Sequence, residues 1–149
     1  MIELVDHRYY KSVSLEPLER GEVTGIAVRF EPEILESLEN ISELTLPPPL
    51  ENAVTKRKSE YLLGRVLAAT VLGQIGRQSE FPGTENRKPI WPRGIVGSIS
   101  HTDNLAGCMI SESVSLRGVG LDFEKRLEKD RATRMSSHIF TKDDEGYLI

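Results

Sequence analysis

The sequence predicts an α+β fold in which antiparallel strands pack on one long helix. A helical pattern of apolar residues runs from about residue 50 to residue 75. Three short strand-like segments then follow one another with only turn residues between them, an order typical of antiparallel pairing. The length of 149 residues, with 38% hydrophobic residues, suits one globular domain with a substantial core.

The first elements predicted are a short strand and a short helix. Residues 25–30 are β-branched and aromatic in character, which favours a strand. Residues 32–40 begin with a proline and place Ile34, Leu35 and Leu38 on one side, which favours a helix.

The long helix is predicted over residues 50–75, after three consecutive prolines at 47–49. Its apolar positions recur mostly at steps of three and four residues, and Gly76 is a plausible end. Residues 76–94 are rich in glycine and proline and are predicted to form a loop. The apolar positions are Val54, Tyr61, Leu62, Val66, Ala69 and Leu72.

Three strands are predicted next, over residues 95–101, 105–111 and 114–124. Asp103-Asn104 and Glu112-Ser113 are the expected turns between them. The charged residues 125–137 are predicted to be helical.

Composition excludes several classes of protein. Cys108 is the only cysteine, which excludes an internal disulfide and zinc sites built on paired cysteines. A net charge of −4 argues against general nucleic-acid binding. The first residues lack the pattern of a signal peptide, and no run approaches the ~18 apolar residues of a membrane span. We therefore expect a soluble, cytoplasmic protein that binds neither nucleic acid nor membrane.

The charge is unevenly distributed along the chain. Residues 1–51 have a net charge of −7, residues 52–101 of +5 and residues 102–149 of −2. The basic middle third indicates either a solvated helix or an anion-binding site. Charge alone leaves both interpretations open.

Asp122 and Glu124 form the first candidate site. In a strand, residues two apart point to the same face with Cα atoms roughly 7 Å apart. Two such carboxylates can bind one Mg²⁺ together with water and a substrate phosphate. The alternative is a solvated strand end, in which Lys125 and Arg126 pair with the two acids.

Arg57 and Arg65 form the second candidate site, on the long helix. They are separated by about 80° around the axis and about 12 Å along it, so both can flank one groove. Glu60 is placed to pair with Arg57 at i,i+3. Gly64 is unfavourable in a helix, which indicates close approach of another group; helix packing against a helix or sheet is the alternative explanation.

Ser100 and His101 form the third candidate site. Neighbours in a strand face opposite sides, which excludes a catalytic Ser–His pair here. A histidine at a strand end beside hydroxyls and small residues suits a phosphate. His7 and His138 have no zinc-ligand spacing to it, and no Walker loop is present.

Taken in order, these motifs resemble the phosphopantetheinyl transferases of the siderophore-synthetase type. The resemblance covers residues 53–126, and the order and spacing of four motifs make it specific. The family fold is a pseudo-dimer of two similar α+β halves with the active site between them. By this resemblance residues 1–117 form the first half-domain and residues 118–149 begin the second. The motifs are Arg57-x-x-Glu60-Tyr61-Leu62-x-Gly64-Arg65, Arg87-Lys88-Pro89-x-Trp91-Pro92-x-Gly94, Gly97-Ser98-Ile99-Ser100-His101-Thr102 and Gly118-Val119-Gly120-Leu121-Asp122-x-Glu124.

The resemblance implies a function. The family transfers the phosphopantetheine arm of coenzyme A, its substrate, to a serine of an acyl or peptidyl carrier protein with the help of Mg²⁺. The implied metal ligands are Asp122 and Glu124, which with His101 form the implied catalytic set. The implied contacts to coenzyme A are Arg57, Arg65, Lys88, Pro89, Ser100 and His101.

The sequence departs from the family pattern after Arg126. The family has a downstream motif of an aromatic residue, Lys-Glu and a further lysine, and residues 127–149 contain no match to it. We expect that the chain ends before this motif, with most of the second half absent. Transfer is then expected to be impaired, and a homodimer or a marginally stable chain is expected. The alternatives are a non-catalytic module that binds coenzyme A or a nucleotide, and a plain structural domain.

Overall fold

The computed structural model describes residues 1–13, 22–77 and 81–139. Six strands and three α-helices lie in these residues. Short 3₁₀ turns occur at Ile2–Leu4, His7–Tyr9 and Pro48–Leu50. The elements are β1 (Tyr10–Val13), β2 (Thr24–Phe30), α1 (Ile34–Glu39), α2 (Thr55–Gln74), β3 (Thr84–Glu85), β4 (Lys88–Pro89), β5 (Val96–Thr102), β6 (Leu105–Ser111) and α3 (Lys129–Ile139).

The main sheet has four antiparallel strands in the order β1-β2-β6-β5. Cys108 on β6 lies opposite Ile26 on one side and Ile99 on the other, so these three side chains share a face. The β5–β6 hairpin turns at residues 103–104. The α+β class and the strands predicted at 25–30, 95–101 and 105–111 are confirmed.

Helix α2 packs on one face of this sheet and also contacts α1. The middle of α2 is buried on all sides. The sheet covers one side of the helix, and Ile34 and Leu38 of α1, both 0% exposed, belong to the same core. The predicted helix is confirmed, although it begins at Thr55: residues 48–50 form a 3₁₀ turn and Val54 is extended. It ends as predicted before Gly76, which has a φ of +74°.

The predicted loop over residues 76–94 contains one regular feature. Strands β3 and β4 form a small hairpin, with Thr84 opposite Pro89. Asn86 and Arg87 both have positive φ, as a two-residue type I′ turn requires. The sequence analysis missed this hairpin because arginine is an unusual residue at the second turn position.

The strand predicted at residues 114–124 is wrong. Residues 118–124 are extended but join no sheet. The Phe123 N–H donates to the Ser100 hydroxyl at 2.9 Å, and a Cβ at Gly107 would lie 2.6 Å from the Phe123 ring. The segment therefore lies across the sheet face opposite α2. Burial still alternates along the segment: Leu121 and Phe123 are half-buried, whereas Asp122 and Glu124 are exposed.

The helix predicted at 125–137 is found as α3, which begins four residues later at Lys129. Its described side chains are almost all exposed. The boundary between residues 117 and 118 remains a prediction. Among the described residues, no helix has the length and apolar character that crossing a bilayer requires.

Candidate anion and metal site

An open cavity of about 410 Å³ lies where the first turns of α2 meet the end of β5. We call it the anion cavity, because three of its lining side chains, Lys56, Arg57 and His101, can donate hydrogen bonds to an anion. Helix α2 supplies one wall and the β5–β6 turn the other. The lining residues are Val54, Lys56, Arg57, Glu60, His101, Thr102 and Asp103.

Glu60 lies at the centre of these charges and is only 6% exposed. Its carboxylate is 3.3 Å from His101 Nδ1, 3.9 Å from Lys56 Nζ and 3.9 Å from Arg57 Nη1. The i,i+3 pairing of Glu60 with Arg57 is as the sequence indicated. One nearly buried carboxylate thus faces three groups that carry or can accept positive charge.

His101 and Ser100 face opposite sides of β5. The His101 side chain points toward α2, where Arg57 Nη1 lies 3.2 Å from His101 Nε2. The Ser100 side chain is 7% exposed and accepts the N–H of Phe123 on the other face. The structure therefore brings His101 and Arg57 together and places Ser100 outside the anion cavity.

Lys56 and Asp103 close the outer edge of the anion cavity. Lys56 Nζ donates to Asp103 at 2.7 Å, and Lys125 lies 3.8 Å from the same carboxylate. The hydrogen bond from Lys56 lowers the pKa of Asp103, and the same bond raises the pKa of Lys56.

Arg65 lies elsewhere. It is 6% exposed, its guanidinium stacks on the Tyr61 ring at 4.6 Å, and its Nη2 donates to the Thr84 hydroxyl at 2.5 Å. Thr84 lies opposite Pro89, so Arg65 is joined to the hairpin that carries Lys88 and Pro89. Arg57 and Arg65 were expected to flank one groove, but the structure places them in two separate groups. Arg57 lies with His101, and Arg65 lies with the β3–β4 hairpin.

Gly64 between the two arginines serves packing. A Cβ at this position would lie 2.9 Å from Ile99 Cγ2 on β5. The packing alternative is therefore correct for Gly64. Because Ile99 and His101 lie on the same face of β5, this close approach also brings His101 against α2.

Asp122 and Glu124 are exposed on one side of the segment that crosses the sheet. Neither forms an ion pair with any part of the chain that the structure describes, and Lys125 pairs with Asp103 instead. No group of three or more His, Cys, Asp or Glu side chains placed for a metal occurs within residues 1–13, 22–77 and 81–139. Two free carboxylates fit Mg²⁺ where water and a substrate phosphate complete its shell.

Several residues of these groups were missed by the sequence analysis. Lys56 carries a usable signal, since it lies four residues before Glu60 on one helix. Asp103 was assigned only to a turn. Thr84 carries no local signal, because its contact with Arg65 depends on how the hairpin folds back on α2.

An antiparallel sheet backed by one long helix, with the side chains of Lys56, Arg57 and His101 clustered at their junction, defines an α+β domain with a basic cavity. Residues 46–111 match a family model described as the 4′-phosphopantetheinyl transferase N-terminal domain. The resemblance found from the motifs is confirmed: residues 46–111 are similar to the N-terminal domain of this family.

Individual relatives agree with the family match. Enterobactin synthase component D of Salmonella typhi is 37% identical over 100 residues, which are 66% of this chain and 41% of the relative. The protein of the same name from Escherichia coli O157:H7 is 35% identical over 99 residues, 66% of this chain and 46% of the relative. The 4′-phosphopantetheinyl transferase Npt of Nocardia iowensis is 32% identical over 97 residues, which are 62% of this chain and 44% of the relative. The chain spans less than half the length of these relatives.

Proposed function

We propose that the protein transfers the phosphopantetheine arm of coenzyme A to a serine of an acyl or peptidyl carrier protein. Relatives named 4′-phosphopantetheinyl transferases support this reaction class. We assign to this chain the phosphate-binding part of the site and two carboxylates of a Mg²⁺ site.

The observation that carries the proposal is the pairing of Arg57 with His101 over the anion cavity, 3.2 Å apart. A guanidinium fork matches two phosphate oxygens, and an imidazole beside it supplies a further donor. Coenzyme A is a polyanion, and residues 52–101, which include Arg57 and His101, have a net positive charge. The cavity therefore suits a phosphate group of coenzyme A.

Asp122 and Glu124 are the residues proposed to hold Mg²⁺. Both are exposed, unpaired in the described chain and on one side of an extended segment. When bound, Mg²⁺ neutralises charge on the pyrophosphate as the leaving group departs. Lys88 and Pro89 are proposed beside the nucleotide, since Thr84 links their hairpin to Arg65.

The proposed reaction forms a bond between the carrier serine oxygen and phosphorus and breaks the pyrophosphate P–O bond. The nucleotide bisphosphate leaves, and the serine hydroxyl proton requires an acceptor. Residues 127–149 contain no match to the family's Lys-Glu motif, so no acceptor is assigned in this chain.

Calorimetric titration with coenzyme A tests the proposal. We expect tighter binding with Mg²⁺ than with a chelator, because Asp122 and Glu124 would hold the metal and its charge would favour the pyrophosphate. Asp122→Ala should remove the enhancement and leave metal-free binding intact. Glu128→Gln, an exposed carboxylate shortly after the pair, is the matched control and should behave as the wild type. Equal affinity with Mg²⁺ and with chelator contradicts the proposal.

A non-catalytic module that binds coenzyme A is the second candidate, because the pairing of Arg57 with His101 would serve binding without transfer equally well. The mass of a carrier protein after incubation with this chain, coenzyme A and Mg²⁺ separates the two. Transfer adds one phosphopantetheine group to the carrier, whereas the binding module leaves its mass unchanged.

A homodimer is also proposed. Two apolar surfaces are not available for a second chain, because the apolar side of α2 is buried and Leu121 and Phe123 are half-buried. Exposed apolar side chains occur instead at Leu127, Met135 and Ile139. Sedimentation equilibrium decides between monomer and dimer.

A further inference from the structure

We infer that Thr84 is a positioning residue whose hydroxyl fixes the β3–β4 hairpin on α2 and thereby positions Lys88 for coenzyme A. The inference deepens the proposed function and, in its ligand-binding part, rests on it. Thr84 Oγ1 lies 2.7 Å from the Tyr61 hydroxyl and accepts a hydrogen bond from Arg65 Nη2 at 2.5 Å. One hydroxyl of the hairpin therefore joins two residues that lie four apart on α2.

The Thr84 hydroxyl can form both contacts at the same time. A guanidinium has only donors, so the Thr84 oxygen is the acceptor of the bond from Arg65. A second lone pair and the hydroxyl proton remain, so Tyr61 can either donate to this lone pair or accept this proton. A hydrogen bond from a charged donor is the stronger kind, so the contact with Arg65 is the main part of the attachment.

Arg65 depends on Thr84 because its guanidinium has few other partners. Arg65 is 6% exposed, its guanidinium stacks on the Tyr61 ring at 4.6 Å, and its Nε is buried without a hydrogen-bond partner. Within residues 1–13, 22–77 and 81–139, Arg65 forms no ion pair with a carboxylate. A buried charge without a counter-ion is stabilised by the few polar contacts that it makes. Thr84→Val removes one of these contacts and keeps a β-branched side chain of similar size.

The hairpin itself is held by few contacts between its two ends. Pro82 before it is buried and Trp91 after it packs against the core, so both ends are anchored. Between these ends β3 and β4 have two residues each, and residues 85–88 are exposed. Such a short hairpin has little stability of its own. Its attachment at Thr84 therefore sets the position of Lys88 on the paired strand.

Amide hydrogen exchange of the full chain without ligand tests the attachment. The Ile90 N–H donates to the Gly83 carbonyl at 3.0 Å at the base of the hairpin, so its exchange rate reports opening of the hairpin. We expect Thr84→Val to speed this exchange at least about tenfold, the loss of one hydrogen bond to a charged group. Thr84→Ser keeps the hydroxyl and should exchange at nearly the wild-type rate. Thr24→Val, at a half-buried threonine of β2, is the matched control and should behave as the wild type.

Calorimetry with coenzyme A then tests whether the attachment serves Lys88. Thr84→Val should weaken binding several-fold, because Lys88 is no longer held in place, and Thr84→Ser should recover most of this loss. If Thr84 acts through Lys88, the double variant Thr84→Val/Lys88→Ala should bind about as weakly as Lys88→Ala alone. If Thr84 acts through Arg65 instead, the losses from the two substitutions should add in full.

Three results overturn the inference. They are exchange of the Ile90 amide at the wild-type rate in Thr84→Val, no recovery by Thr84→Ser, and full addition of the losses from Thr84→Val and Lys88→Ala. Coenzyme A binding by the wild type together with any of these leaves the proposed function standing without the role of Thr84. If the wild type binds no coenzyme A while Thr84→Val speeds the exchange, the proposed function fails and the attachment of the hairpin stands.

Discussion

The basic and acidic parts of the candidate site are held in different ways. Arg57 and His101 belong to α2 and β5, two regular elements joined by the contact of Gly64 with Ile99. Asp122, in contrast, lies on an extended segment outside the sheet, held through its neighbour Phe123. The backbone that carries the anion cavity is thus fixed by core packing, whereas the proposed metal ligands depend on a few contacts. We therefore expect that a substitution can disturb one part of the candidate site and leave the other part unchanged.

The largest effect is expected from Arg57→Ala, which acts on the basic part alone. Loss of charged hydrogen bonds to phosphate costs about 1.5–3 kcal/mol, so coenzyme A affinity should fall at least about tenfold. Calorimetry checks this, with Lys58→Ala as control because Lys58 does not line the anion cavity. We further propose that Arg57 binds the ribose phosphate of coenzyme A, so dephospho-coenzyme A, which lacks this group, should be affected less; an equal loss for both ligands would refute this assignment.

Gly107→Ala acts mainly on the acidic part. The new Cβ would lie 2.6 Å from the Phe123 ring, which must shift and move Asp122 and Glu124 with it, and 3.1 Å from the Ile26 carbonyl oxygen on β2, which is a smaller disturbance. Most of the Mg²⁺ enhancement of coenzyme A binding should disappear, while affinity in chelator stays unchanged. Gly120→Ala is the control, because a Cβ there meets nothing within 4 Å. Weaker binding of Gly107→Ala in chelator would show that the two parts are not independent.

A pair of glycine variants tests how α2 supports the basic part. Gly73→Ala should stabilise the protein by up to about 1 kcal/mol through helix propensity, since its Cβ meets nothing within 4 Å. Gly64→Ala gains the same propensity but forces a Cβ to 2.9 Å from Ile99, so we expect a net loss of stability. Urea unfolding measures both. Equal stabilisation by the two substitutions would mean that Gly64 does not set the distance between α2 and β5.

These examples show how far sequence reasoning extends. The α+β class, α2 and the β5–β6 hairpin follow from local patterns, because periodicity and turn residues act over a few positions. The strand at 114–124 was wrong for a physical reason: alternation shows that one side of a segment is buried, not that its backbone pairs with a strand. Arg57 and Arg65 belong to different groups because Arg57 contacts His101 and Arg65 contacts Thr84. These tertiary contacts cannot be predicted from the geometry of the helix alone.

The smallest effect is expected at the exposed pair of Lys56 and Asp103. Lys56 lowers the pKa of the Asp103 carboxyl, so the pair stabilises the fold above the unfolded pKa and this contribution is lost as pH falls through the folded value. Asp103→Asn should lower the Tm slightly at neutral pH and leave it unchanged at strongly acidic pH. Thermal unfolding across this range checks the sign; a difference that grows on acidification would contradict it.

A double-mutant cycle on Arg57 and Asp122, read by coenzyme A calorimetry, tests the separation of the two parts most directly. In chelator, Arg57→Ala should weaken binding and Asp122→Ala should have no effect. With Mg²⁺, both single variants should weaken binding, and the double variant should lose the sum of the two. The account is contradicted if Asp122→Ala weakens binding equally with and without Mg²⁺, or if Arg57→Ala leaves binding unchanged in chelator.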